Sequence, residues 1–159
     1  MTNTPTQTAT AWHEAGHAIA ALALGRPVHR VSIEPKLQRL GHCELKKGTF
    51  RPSSDIVETE ILILLAGLVA EARLTGVYNL AGAAEDLRGV RAYTRFRGGS
   101  ERQVEKLERR MLSKTEHLLE QPGMWLAIEQ VAAELLRETT ISGRAARHLF
   151  EQATKSARD

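Results

Sequence analysis

Three polar side chains stand in the middle of an apolar segment near the start of the chain. His13, Glu14 and His17 lie in the run AWHEAGHAIAALAL, residues 11–24, which is otherwise rich in alanine, leucine and isoleucine. This pattern predicts a helix over about residues 9–25, where a glycine and a proline would end it. Polar groups buried in such a helix cost free energy unless they find partners. The fold must therefore bring further polar groups against this helix.

The spacing of these side chains is typical of a metal site. Residues four apart on a helix project from the same face, so His13 and His17 can bind one ion together. Glu14 lies about 100° around the helix from His13, where it can reach a water molecule on the ion. A zinc ion lowers the pKa of such a water towards about 7, and the glutamate can then accept its proton. The H-E-x-x-H pattern therefore predicts a zinc hydrolase. The alternative is a pair of histidines that only form hydrogen bonds at the surface.

A glycine inside the same helix carries a second prediction. Gly16 stands between the two histidines, and glycine in a helix interior costs about 1 kcal/mol relative to alanine. Its presence indicates that another backbone approaches the helix closely at this point.

Catalytic zinc usually has three protein ligands, and the sequence leaves the third one open. There is no glycine at position 20 and no histidine at position 23, so the motif does not continue as it does in metzincins. Asp86 has no evident structural role beyond capping a helix. Glu71 follows an apolar run, where a charge should have a partner. The other histidines and aspartates are His29, His42, His117, His148, Asp55 and Asp159.

The remainder of the chain predicts a mainly α (α+β) fold, with about five to six helices and a small β-hairpin or sheet beside the first helix. Residues 1–8 are polar and predict a disordered tail, which leaves residues 9–157 as a single domain. VHRVSIEP, residues 28–35, alternates as a strand does, and residues 40–48 predict its antiparallel partner. ILILLAGLVA, residues 61–70, falls short of the about 20 residues that span a membrane and predicts a buried core helix.

Capping residues predict the other helix boundaries. The second helix is expected to start at Pro52-Ser53-Ser54-Asp55 and to end at Thr75-Gly76. The later helices are expected to begin near Glu85, to cover about residues 101–120 behind a capping box of Ser100 and Gln103, to run from Pro122-Gly123 to Thr139-Thr140, and to extend from Ser142 to about residue 157.

Charge and cysteine content narrow the function classes. The net charge is +3, and much of the basic excess lies in residues 91–110, where glutamates alternate with arginines and lysines. Such mixing favours a solvated helix face, the alternative being a nucleic-acid surface. The single cysteine, Cys43, cannot form an internal disulfide and predicts a half-buried strand residue. Neither a secretory signal nor a membrane span is visible, so we expect a cytoplasmic protein.

Three sequence blocks, in this order, resemble the peptidase domain of FtsH-type proteases, the AAA-linked zinc metalloproteases. HEAGHAIAALAL, residues 13–24, is similar to the zinc helix of that family, and ILILLAGLVAEARLTG, residues 61–76, resembles its central helix. GAAEDLRGVRAYTR, residues 82–95, resembles its G-A-x-N-D-[IL] segment. The strand VHRVSIEPK and the C-terminal TISGRAARHLF also match, so the resemblance covers about residues 9–150.

The resemblance implies a helical zincin-like peptidase domain that holds one zinc ion. His13, His17 and Asp86 match the metal ligands of the family, and Glu14 matches its general base. Glu71 matches a glutamate of the central helix, to which we assign the orientation of a ligand histidine.

The resemblance also implies partners. The strand at 28–35 matches an edge beside the cleft, where an extended polypeptide substrate could add as a further strand. Related domains form hexameric rings, so a homo-oligomer is compatible with the resemblance, although much of that assembly belongs to the ATPase. No nucleic-acid partner is expected.

The chain departs from the family pattern in several places. Leu68, Ala72 and Glu85 stand where the family usually has arginine, glutamate and asparagine, and Glu85 adds a carboxylate beside Asp86. FtsH-type proteases carry an ATPase module and a membrane segment, whereas this chain contains no G-x-x-x-x-G-K-[ST] loop and no apolar span. The expectation is therefore a stand-alone peptidase domain, which acts on flexible chains or with a separate unfoldase.

Together these observations predict a zinc-dependent metalloendopeptidase that hydrolyses peptide bonds in unfolded or flexible polypeptides, through a zinc-bound water that Glu14 activates. The alternative is an inactive or regulatory zinc-binding module, which the altered residues near Asp86 favour. The intact H-E-x-x-H pattern argues against this alternative, because an inactive site has no need of Glu14.

Overall fold

Six helices and a small antiparallel sheet make up the described part of the chain, residues 3–35, 41–46, 55–97 and 99–159 of a computed structural model. This architecture confirms the mainly α class. The helices are α1 (Pro5–Ala23), α2 (Ile56–Thr75), α3 (Ala84–Arg97), α4 (Glu101–Leu119), α5 (Met124–Glu138) and α6 (Gly143–Arg158). The strands are β1 (Val28–Ser32), β2 (His42–Leu45) and β3 (Thr140–Ser142).

Helix α2 is the buried centre of the fold, as its apolar run predicted. It packs against α1 on one side and against α3 and α4 on the other. Ile63 and Ala66 belong to the main core with α1, α5 and the sheet. Ile61 and Leu65 belong to a second apolar cluster with residues of α3 and α4. Because both sides are covered, apolar residues occupy more than one face of this helix.

Helices α1 and α2 cross at very short range. A Cβ atom at Gly16 would lie 2.5 Å from the backbone oxygen of Ala66 and 2.6 Å from the Cβ of Ala70. Only a hydrogen atom fits in this gap. The predicted close approach of another backbone to Gly16 is therefore confirmed.

Helix α1 begins at Pro5, four residues earlier than predicted. The side chain of Thr4 accepts a hydrogen bond from the backbone N–H of Gln7, and the side chain of Gln7 accepts one from the N–H of Thr4. Pro5 occupies the first turn, where its missing N–H costs nothing. The prediction of a disordered tail over residues 1–8 is thus wrong for residues 5–8. The capping box starts the helix in a polar, threonine-rich segment that has no apolar periodicity.

The sheet has the strand order β2-β1-β3, with both pairings antiparallel. Strand β1 and its partner β2 confirm the predicted hairpin; residues 40, 47 and 48 of that prediction lie outside the described residues. Strand β1 lies inside the sheet, however, so the prediction that residues 28–35 form an edge beside the cleft is wrong. The strand that pairs on its other side, β3, has three residues and is too short to show an alternating pattern.

The remaining helix boundaries agree with the predicted caps. The Asp55 side chain accepts a hydrogen bond from the N–H of Glu58, and Ser100 and Gln103 form the expected capping box. Ser142 caps α6 by accepting from the N–H of Ala145. Pro52, Ser53 and Ser54 lie outside the described residues. No helix in the described ranges is long and apolar enough to cross a membrane.

The tight helix crossing yields a prediction about stability. We expect Gly16→Ala to lower the free energy of unfolding by about 1–3 kcal/mol, because the new methyl group would overlap the backbone of α2. The matched control is Gly89→Ala in α3, where the new Cβ would meet only the flexible end of Leu64. That change should raise the free energy of unfolding by up to about 1 kcal/mol. Urea denaturation followed by circular dichroism measures both, and equal effects of the two substitutions would contradict the close crossing.

Candidate metal centre

Two imidazole nitrogens and one carboxylate oxygen converge beside α1. The Oδ2 atom of Asp86 lies 2.9 Å from Nε2 of His13 and 3.2 Å from Nε2 of His17. The histidines are one turn apart on α1, and Asp86 stands in the first turn of α3. Each of these residues offers one atom that could bind a metal ion, and the three atoms lie within 4.8 Å of one another. The structure therefore brings together the three residues that the sequence analysis selected.

Each histidine is held in place through its other ring nitrogen. The Nδ1 atom of His17 lies 2.7 Å from the backbone oxygen of Ile63, and Nδ1 of His13 lies 3.0 Å from Oε2 of Glu71. A carbonyl or carboxylate oxygen only accepts hydrogen bonds, so both Nδ1 atoms carry the proton. By the same rule, an Nε2 atom that faces Oδ2 of Asp86 donates to it when it carries a proton, and its lone pair becomes available at this point once that proton is lost. The two rings meet edge-on, with centroids 4.7 Å apart.

Burial and charge act against each other in this cluster. Burial disfavours a charge on His13, but the hydrogen bonds to Asp86 and Glu71 outweigh it and raise the pKa of His13 to about 10. Burial likewise opposes a charge on His17, and the Asp86 carboxylate still raises its pKa. Burial would raise the pKa of Asp86, yet the two histidines hold it far below the ordinary range. A positive charge is therefore favoured at the point where these groups meet.

The donor set fits a metal ion of the zinc type. Two imidazole nitrogens and a carboxylate oxygen are a combination that catalytic zinc accepts, with a further position left for water or substrate. A hydrogen bond to the second ring nitrogen of each histidine is typical of metal ligands. The site of His13, His17 and Asp86 could thus hold one such ion in place of the protons that these groups otherwise attract.

Two buried glutamates, Glu14 and Glu71, lie beside the cluster. Both line a cavity of about 480 Å³ that also contains the three clustered residues. Glu71 contacts His13 directly through the Nδ1 atom of the ring. Glu85, the neighbour of Asp86, lines the cavity too but is exposed.

The other candidate residues do not join this cluster. His42 lines the cavity, and Asp55 caps α2 and forms an ion pair with Arg97 at 2.8 Å. His117 is hydrogen-bonded to Gln121 on the protein surface. The remaining ones, His29, His148 and Asp159, are exposed.

Sequence reasoning missed three contributors to the site. The backbone oxygen of Ile63 carries no signal in the sequence. Gly67 stands opposite the histidines, where a Cβ would lie 2.5 Å from Nε2 of His17 and 2.7 Å from Nε2 of His13. A glycine within an apolar helical run was the signal available for this contact. Asn79, which donates to Glu71, lies between the second and third predicted helices, where the sequence analysis selected no site residue.

The basic segment forms ion pairs between helices. Arg91 on α3 contacts Glu101 at 2.6 Å and Glu108 at 2.5 Å on α4, and Arg95 lies 3.7 Å from Glu101. The predicted mixture of positive and negative side chains therefore forms ion pairs that connect α3 to α4. These pairs give the charged segment a structural role.

The sequence is similar to a family of peptidases. The profile of Peptidase family M41 matches residues 1–97. The chain is 36% identical over 84 residues to the ATP-dependent zinc metalloprotease FtsH 4 of Sorangium cellulosum, a match that covers 50% of this chain and 13% of that protein. The ATP-dependent zinc metalloprotease YME1 homolog of Caenorhabditis elegans is 34% identical over 83 residues, covering 49% of this chain and 12% of that protein.

A third relative gives the same picture. The ATP-dependent zinc metalloprotease FtsH of Caulobacter vibrioides is 35% identical over 86 residues, which cover 51% of this chain and 14% of that protein. The chain thus matches between 12% and 14% of the length of these three relatives. The similarity concerns a limited part of each of them.

Cys43 on β2 reports on the negative charge of the cavity. Its burial, and then the charges of Glu14, Glu44 and Asp86, raise the pKa of the thiol well above the ordinary range. Since the thiolate is the reactive form, we expect Cys43 in the metal-free folded protein to be alkylated at least ~10-fold more slowly at pH 8 than in the urea-unfolded chain. The folded rate should keep rising to pH 10, whereas the unfolded rate levels off above about pH 9. A folded rate that levels off at the same pH would contradict this electrostatic description.

Proposed function

Because the chain belongs to peptidase family M41, we propose that it is a zinc-dependent metalloendopeptidase of unfolded or flexible polypeptides. The observation that carries the proposal is the convergence of His13, His17 and Asp86 in the cavity that Glu14 lines. The ATP dependence in the names of the relatives is not carried over, since the matches cover so little of those proteins.

The first part of the proposal concerns the ion. His13 and His17 would bind zinc through Nε2, and Asp86 would bind it through a carboxylate oxygen. Bound zinc supplies a Lewis acid that lowers the pKa of water and polarises a carbonyl group. Glu71 and the backbone oxygen of Ile63 hold the Nδ1 protons, which keeps both Nε2 lone pairs available.

The second part concerns proton transfer by Glu14. Its carboxylate accepts a proton from the water molecule that attacks the scissile carbonyl carbon. When the C–N bond breaks, Glu14 delivers this proton to the leaving amine. A buried carboxylate in the cavity wall suits this role because bulk water does not compete for the proton.

The third part concerns the substrate. His42, Cys43 and Leu45 of β2 line one side of the cavity. Strand β2 ends the sheet among the described strands, because only β1 pairs with it there. An extended polypeptide can add to a sheet edge through its backbone, so we propose that the substrate lies along β2. This mode requires an unfolded or flexible segment, since a folded substrate does not offer a free strand.

Replacement of the proposed base tests the reaction. We expect Glu14→Gln to retain zinc at one ion per chain and to lower the rate of casein cleavage by at least ~100-fold, because the amide cannot accept the proton. The matched control is Glu85→Gln, which removes a carboxylate from the same cavity without removing the proposed base. Metal analysis and a fluorescent casein assay provide the measurements.

The outcomes of this experiment separate the two hypotheses. Unchanged cleavage by Glu14→Gln would contradict the assignment of the base. Zinc binding without cleavage by the wild type would favour the inactive or regulatory module instead. The absence of zinc from both the wild type and Glu14→Gln would contradict the proposed metal centre.

Replacement of the proposed third ligand tests the metal site. We expect Asp86→Asn to weaken zinc binding by more than ~100-fold, because the amide loses the negative charge that the ion requires. Glu85→Gln is again the control and should change the dissociation constant by less than ~3-fold. Competition with a chromophoric chelator measures both constants. Equal losses in the two variants would indicate that general negative charge, rather than Asp86, binds the ion.

A further inference from the structure

The side chain of Asn79 connects the loop after α2 to the metal centre. Its Nδ2 atom donates to Oε1 of Glu71 at 3.1 Å, and its Oδ1 atom accepts from the backbone N–H of Gly82 at 3.0 Å. The other oxygen of Glu71 accepts from His13. One amide side chain therefore lies two hydrogen bonds from the histidine ring.

The partners of Asn79 fix the orientation of its amide. The Glu71 carboxylate only accepts, so it must face the NH₂ group, and the Gly82 N–H only donates, so it must face the oxygen. Glutamine is one methylene longer and alanine has neither group. The amide of asparagine thus satisfies both partners at once.

The same loop leads directly to Asp86. The N–H of Ala83 donates to the backbone oxygen of Asn79, and the N–H of Leu87 donates to the backbone oxygen of Ala83. Ala83 is buried and precedes the first turn of α3. Backbone hydrogen bonds therefore connect the loop at Asn79 to the first turn of α3, which carries Asp86.

These hydrogen bonds and the chain segment between Gly82 and Asp86 together form a closed ring. Hydrogen bonds run from Asp86 to His13, from His13 to Glu71, from Glu71 to Asn79 and from Asn79 to Gly82, whose chain continues to Asp86. We propose that Asn79 is a positioning residue of the metal centre, which aligns His13 through Glu71 and Asp86 through the loop. This inference rests on the proposed function, because it assigns both groups to one ion.

Gly82 provides an independent way to displace the same amide. A Cβ atom at Gly82 would lie 2.4 Å from Nδ2 and 2.9 Å from Cγ of Asn79, and its nearest atoms all belong to that side chain. Gly82→Ala should therefore push the amide away from Glu71. In a chain that already carries Asn79→Ala, these three nearest atoms are gone and the same methyl group no longer meets the amide.

Zinc affinity measured by chelator competition tests the inference. We expect Asn79→Ala and Gly82→Ala each to weaken zinc binding about 10-fold, the lower end of the range for groups that orient metal ligands, since Asn79 is exposed. The double variant should bind zinc as weakly as Asn79→Ala alone, because both changes remove the same contact. Additive losses, or affinities within ~2-fold of the wild type for both single variants, would overturn the inference.

Thr75→Ala is the matched control for a general loosening of the loop. The Thr75 hydroxyl bonds to the backbone of Val77 in the same loop and donates to the backbone oxygen of Glu71, so its contact with Glu71 is to the main chain and leaves the carboxylate to Asn79 and His13. The zinc affinity of the Thr75→Ala variant should stay within ~2-fold of that of the wild type. Thermal unfolding of the metal-free variants supplies the second readout. A loss of affinity in Thr75→Ala equal to that in Asn79→Ala would show a structural effect and overturn the positioning role.

The wild-type result separates this inference from the proposed function. Zinc binding without casein cleavage would contradict the peptidase proposal, while the affinities of the variants would still decide the role of Asn79. If the wild type bound no zinc, both proposals would fall together.

Discussion

The close crossing of α1 and α2 at Gly16 is the constraint on which the site depends. The backbone of α2 lies so close to Gly16 that only a hydrogen atom fits between them. The histidines on either side of Gly16 therefore both meet α2. His17 reaches the backbone oxygen of Ile63, and His13 reaches the carboxylate of Glu71 two turns later. A side chain at Gly67 would occupy the space of both imidazoles. Small residues on both helices therefore allow an apolar helix pair to carry polar groups at its centre.

Buried charges in this arrangement compensate one another. Asp86 lies within hydrogen-bond distance of two imidazoles, and each imidazole has its second nitrogen satisfied. An isolated buried carboxylate would be costly, and so would an isolated imidazolium. The cluster as a whole accepts a positive charge at the point where the three atoms meet. Such a point is where a cation can replace protons, which is the physical basis of the proposed metal centre.

The sequence predicted the parts of this site that follow from local spacing. His13, Glu14 and His17 were accessible because helical geometry converts a spacing of four into a shared face. Asp86, 73 residues from His13, could be selected only through a family resemblance, since spacing along the chain does not encode long-range contacts. The edge position predicted for residues 28–35 was wrong for the same reason, because the three-residue strand β3 pairs with β1 on its other side. The start of α1 was missed because the cap lies in a segment without apolar periodicity.

The apolar core and the loop after α2 position different parts of the site. The apolar contacts among α1, α2 and α5 belong to the main core and do not involve the loop after α2. Asp86 and the orientation of Glu71 depend instead on a few hydrogen bonds of that loop, centred on an exposed asparagine. Exposed hydrogen bonds contribute little to global stability, because water replaces them readily on unfolding. The loop can therefore vary with little cost to folding, while the placement of the residues beside His13 changes with it.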